Sequence, residues 1–389
     1  MSELLVAPSI SPTRARIAIA LFFFVSGFGF ATWASRIPII QHQLGLGEAQ
    51  LGAVLLALPA GLMLTLPVTG QLLQHFSSRQ VMMAGAVLYN LALGLLGWVE
   101  HTWQLAVLLF CFGSSRNLLN LSVNAQSVGV QTLYDRSIIA TFHGIWSVAG
   151  FAAAGLGALL IRSDVSTTAH FVAVSVVLTV LALAFFPGSL ALPPSPPAAK
   201  SFFSWPDKTV LKYGLITFAS MACEGTFYDW SGVYFTQVVH ASKSLAPVGF
   251  TLYMVAMTTG RFLGDWLVSH FGTKPILQTS GLLMSSGLLL AAAFPTPLLA
   301  GIGFVLGGFG VSCVVPLVFG LVGKANPLGA GPAIASVSTV SYFGFLMVPP
   351  LVGFVAKAAS LRWSFALVAL LGGLVVWLVP KLREETEQA

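Results

Sequence analysis

The chain has 389 residues, of which 56% are hydrophobic and only 8% charged, with a mean hydropathy of +0.88; a soluble domain carries about 25% charged residues, so the solvent this composition matches is lipid. The formal charge of +6 does not indicate nucleic acid, because the basic residues are scattered over short loops and form no patch. Cys111, Cys223 and Cys313 are far apart and form no CxxC pair, so neither a disulfide framework nor a zinc site is indicated.

A membrane-crossing helix needs about 20 mostly apolar residues. Arg14 and Arg16 precede an apolar run that is too long for a signal-peptide core and has no clear small-residue cleavage site, so 17–40 is read as span one. Eleven further spans follow at 49–73, 80–98, 103–130, 137–161, 168–187, 210–238, 246–268, 275–293, 297–323, 330–357 and 362–380. The connections are short except for 188–209, GSLALPPSPPAAKSFFSWPDKT, whose prolines and polar residues mark a linker. The expected fold is an all-α membrane protein: twelve transmembrane helices in two pseudo-symmetric bundles, 1–187 and 210–389, joined by a cytoplasmic linker.

Charged and polar residues inside the spans are the functional candidates, since a charge at a helix centre costs roughly 2.5–3.5 kcal/mol on insertion scales. Span one holds Trp33 and, near its outer end and two residues before Pro38, Arg36. Pro38 is read as marking the helix end. Arg36 is then a shallow gate residue that pairs with an acid such as Asp229. Span four holds SSRNLLNLSVNAQ (114–126), in which Arg116, Asn120 and Asn124 form an i, i+4, i+8 stripe accompanied by Asn117. Such a stripe can bind hydroxyls, carboxylates or amides, or simply tie helices together. Span five carries His143 and Trp146 as cavity-lining candidates, against the plainer reading of interhelical hydrogen bonding.

Span seven carries CEGTFYDW (223–230), with Glu224 near mid-span and Asp229 about 7.5 Å further outward. Five residues at about 100° each leave the two acids about 140° apart around the helix, so they do not share a face. A carboxylate that gains and loses a proton in a cavity would couple solute movement to the proton gradient. The alternative is a structural carboxylate paired with an arginine. Tyr228 adds an aromatic face with a polar rim, suited to sugar rings. Arg261 and Asp265, at i and i+4 in span eight, are expected to pair locally at its inner end, as a gating element.

With the N-terminus inside, the inner segments hold eleven Lys and Arg and the outer loops four, which favours cytoplasmic termini in a bacterial-type inner membrane. HFSSR (75–79) recurs as HFGTK (270–274), and AGFAAAGLG (149–157) is echoed in FGFLMVPPLVG (343–353), at offsets close to half the chain. Weak internal symmetry around a central linker is what a duplicated six-helix transporter leaves in sequence.

Over essentially its whole length the chain resembles the major facilitator superfamily. GQLLQHFSSR (70–79) and DWLVSHFGTK (265–274) sit where that family has a glycine-to-basic loop signature, with Gln74 and Ser269 in place of its acid. ATWASRIP (31–38), FHGIWS (142–147), EGTFYDW (224–230), GRFLGDW (260–266) and SYFGFLMVPPLVG (341–353) resemble the MosC/YbjJ-like branch, a relative of fucose permease. The resemblance implies an alternating-access carrier with a central cavity and sugar-like solutes; the chain is expected to act as a monomer. It also implies an acid where this chain has Asn120, and another near Arg36. The missing acid at Asn120 moves any proton coupling to span seven.

No GxxxxGK[ST], HExxH, GxSxG or CxxC motif is present, so neither direct ATP use, enzyme chemistry, a metal nor a cofactor is expected. The expectation is a secondary transporter of a small polar solute, with protons as the coupling ion. The alternatives are an efflux antiporter for amphipathic compounds and a membrane receptor that does not transport.

Overall fold

The computed structural model describes residues 10–135, 138–194, 208–242, 245–325 and 330–382; much of the expected linker lies outside the described residues. Among the described residues, twelve helical segments follow the expected spans. Spans one to six are Pro12–Gln43, Glu48–His75, Ser78–Leu96, Thr102–Gln131, Ile139–Arg162 and Thr167–Phe185. Spans seven to twelve are Lys208–Gln237, Val248–Phe271, Thr273–Ala293, Pro297–Ser312 continuing as Val314–Ala325, Ala330–Ala358 and Leu361–Leu378. Among the described residues, ten of these segments are long and apolar enough to cross a membrane by length and composition alone. The other two, spans seven and eight, hold Glu224, Asp229 and Arg261.

Proline explains where helices break. Span two is interrupted at Leu56 and Thr65, and span ten at Cys313. Each break lies two or three residues before a proline (Pro59, Pro67 and Pro316), whose missing N–H leaves a carbonyl one turn earlier unpaired. Pro38 behaves differently and corrects the expected end of span one. It lies inside a helix that continues to Gln43, and its ring packs on Gly232 of span seven. Arg36 is therefore not at a helix end but buried more than a turn within it.

The two halves repeat one packing scheme. Span one packs on five, two on four, three on four and on six; seven packs on eleven, eight on ten, nine on ten and on twelve. The halves meet chiefly through spans two and eleven, five and eight, and one and seven. The first two pairs are equivalent under exchange of the halves, as an approximate two-fold requires. Lipid-facing surfaces carry large apolar side chains, and Trp98, Trp103, Trp363 and Trp377 are all exposed near helix ends, where indole rings suit the headgroup level.

Spans two and eleven touch backbone to backbone at the end opposite the described termini. A Cβ on Gly353 would press on the Glu48 carbonyl and the Gly52 backbone, and one on Gly52 would press on the Pro349 carbonyl. Gly353→Val is therefore expected to overpack this contact by about 1–3 kcal/mol. The purified variant should lose thermal midpoint relative to wild type; an unchanged midpoint would show that the contact is dispensable.

Candidate functional site

At mid-depth, three spans from both halves converge on one cation. Glu224 of span seven is 7% exposed. Arg261 of span eight places Nη2 3.6 Å from Glu224 Oε1. Its Nη1 donates to Ser147 Oγ of span five at 2.9 Å, and Ser147 Oγ in turn donates to the His143 carbonyl at 3.2 Å. The Arg261 guanidinium also lies 5.6 Å from the Trp146 ring centre. Arg261 thus connects an acid of its own half to a hydroxyl of the other. The sequence pattern pointed instead to Asp265 as its partner; the side chain of Asp265 lies outside the described residues. Five N–H donors in a planar fork allow arginine to serve several partners at once.

Span four supplies a second cation. Arg116 is half-buried, its Nε has no hydrogen-bond partner, and its guanidinium stacks 3.9 Å from the centre of the Phe30 ring. Phe30 meets Tyr228 edge to face at 4.9 Å, so the stack runs from span four through span one to span seven. The expected asparagine stripe divides its duties. Asn117 Oδ1 accepts from Thr69 Oγ1 at 2.6 Å, tying span four to span two. Asn120 Oδ1 accepts from Ser26 Oγ at 2.8 Å, while Asn124 Nδ2 turns back to the Asn120 carbonyl at 2.7 Å. Ser26 Oγ also accepts from Trp146 Nε1 at 3.3 Å, which joins spans one, four and five.

The remaining candidates lie around this centre. Asp229 is 7% exposed and, among the described residues, has neither a hydrogen bond nor an ion pair. Tyr228 is 2% exposed and donates to Met257 Sδ at 3.6 Å. His143 is exposed, with its ring edge-on to Phe23 at 5.2 Å. Trp33 is buried against Phe171 inside the first half, so it is core packing at this site. Arg36 does not reach Asp229 as expected. Its Nε donates to Nδ1 of His170 in span six at 3.1 Å, a contact within one half and not a latch between halves.

Sequence reasoning missed Ser26, Phe30, Ser147 and His170. A lone serine or phenylalanine in an apolar span carries no signal of its own. Ser147 stands beside Trp146 in FHGIWS, the one hint available.

A carboxylate enclosed by protein and facing a single guanidinium can exchange that cation for a proton, and a guanidinium can accept the carboxylate or hydroxyls of a solute in its place. The arrangement is suited to binding and exchange, and no nucleophile with an activating base is among its members.

The family model of the Major Facilitator Superfamily matches residues 19–249 and 213–389. An uncharacterised MFS-type transporter of Yersinia pestis is 34% identical over 367 residues, covering 94% of each chain. The membrane protein MosC of Rhizobium meliloti is 26% identical, covering 92% of this chain and 88% of its own. The crystal structure of the E. coli fucose:proton symporter FucP is similar in fold, with a TM-score of 0.64 at 18% identity, covering 95% of this chain and 98% of its own.

Proposed function

The chain belongs to the Major Facilitator Superfamily and is a multi-pass membrane transporter of small molecules, not an enzyme; on that premise we propose that it is a proton-coupled symporter of a small polar, sugar-like or anionic solute, working by alternating access. The observation that carries this reading is the bridge from Glu224 through Arg261 to Ser147, because it links a proton-accepting group to the contact between the two halves.

Solute would bind between the halves, with Arg116 as its main cationic contact and Asn120, Trp146 and Tyr228 around it. Protonation of Glu224 removes the negative charge that holds Arg261. Arg261 is then free to serve the solute or to leave Ser147, and spans five and eight can part. Asp229 is the second proton site, further outward. The excess of Lys and Arg in the inner segments supports an inner-membrane protein with cytoplasmic termini. The fold neighbour named as a fucose:proton symporter supports the same solute class and coupling ion.

The test is solute-driven proton movement in proteoliposomes with a panel of sugars, sugar acids and amino sugars. One solute should alkalinise the outside as it enters. Counterflow of a solute without any proton movement would refute symport.

A further inference from the structure

We propose a second solute site, separate from the central one: a cavity at the end of the molecule opposite the described termini that binds a small organic carboxylate through Arg36. The cavity has a volume of about 620 Å³, within the range of small-molecule pockets. Both halves wall it. Arg36 and His42 come from span one, Asp164 from the turn after span five, Thr236 from span seven, and Ala246 and Phe250 from the start of span eight.

Arg36 sets the chemistry. It is 2% exposed, yet among the described residues its one hydrogen bond goes to a histidine nitrogen. By accepting from Arg36 Nε, Nδ1 of His170 must be the unprotonated ring nitrogen, so His170 is neutral and balances no charge. Nη2 of Arg36 is buried and has no hydrogen-bond partner among the described residues. A buried guanidinium without a counter-charge is costly, and removing that cost is what an anionic ligand would do. Among the described residues, two other ionisable side chains face the same space, Asp164 and His42, but both are exposed. Charges at an exposed rim are screened by solvent more than a buried one. The field deep in the cavity is therefore that of Arg36, and it selects an anion. The planar fork of donors matches a carboxylate better than a spherical halide.

Residue Thr236 is exposed and lines the cavity, so it reports occupancy. The experiment labels Thr236→Cys with a maleimide in a Cys111→Ser background, because Cys111 is itself exposed. Sodium gluconate should slow labelling, whereas sorbitol, its uncharged counterpart, and sodium chloride at equal ionic strength should not. Adding Arg36→Gln should raise the half-protecting gluconate concentration at least about tenfold, with Arg36→Lys in between. Adding Arg116→Gln should leave protection in place, which separates this site from the central one.

No protection, equal protection by sodium chloride, protection that survives Arg36→Gln, or protection that vanishes with Arg116→Gln would each overturn the proposal. Should Arg36→Gln fail to fold, Ala246→Trp fills the cavity while keeping the arginine. It should abolish protection, and undiminished protection would sink the idea equally. The site requires no transport, so a failure here leaves the symport reading standing, and the reverse also holds.

Discussion

Glu224→Gln is expected to yield a carrier that still exchanges its solute but moves no protons with it. Glutamine keeps the shape and an acceptor oxygen, so it can still meet Arg261, but it cannot be ionised or titrated. Removing one partner of a buried ion pair costs about 3–5 kcal/mol when the other is left stranded. Here the stranded partner is well provided for. The Arg261 side chain is 25% exposed, and it retains Ser147 Oγ and the Trp146 face. The loss of stability should therefore fall at the low end, and the protein should remain assayable. In proteoliposomes, counterflow should persist while the solute-driven pH change falls to the level of empty vesicles. If the variant still carries protons, Glu224 is a structural partner of Arg261, and Asp229 becomes the residue to test.

Arg116→Gln is expected to show the opposite pattern: coupling survives, but solute affinity falls. Among the described residues the Nε of Arg116 has no hydrogen-bond partner, and its guanidinium is held in place by the Phe30 ring and not by an acid. A hydrogen bond to a charged group contributes about 1.5–3 kcal/mol. At about 1.4 kcal/mol for each factor of ten, its loss should weaken half-saturation in counterflow by about 10- to 100-fold. Arg116→Lys keeps the charge but not the flat stacking surface, and should fall between the two. Protons moved per solute should stay as in wild type. Unaltered affinity in Arg116→Gln would mean that the residue only fastens spans four, one and seven together. The two variants change different observables, so neither result can be mistaken for general damage to the fold.

Some features of this molecule are written locally in the chain. Hydropathy over about 20 residues is a local quantity, and it placed all twelve spans within a few residues of their helices. The near-halfway recurrence of HFSSR as HFGTK pointed to two halves, and the halves do repeat one packing scheme. Glu224 and Arg116 could be singled out because a charge in an apolar span must find a partner or a cavity. Pro38 shows where the local rule gives out. A proline looks like a helix end, yet span one runs on to Gln43 because the neighbouring helix offers Gly232 as a recess for the ring.

The partners of these charges were decided by tertiary structure alone. Arg261 reaches Glu224 and a serine 114 residues distant in sequence, contacts that no local spacing announces. Arg36 meets a histidine 134 residues away and not the acid expected of it. Asn120 is engaged by Ser26, 94 residues earlier. The physical reason is common to all three. An apolar span specifies that it will be a helix and lie in lipid, since both follow from its own atoms. Which of its polar atoms face one another depends on where helices cross, and that is set by close contacts such as Gly52 with Gly353, made by residues that carry no charge.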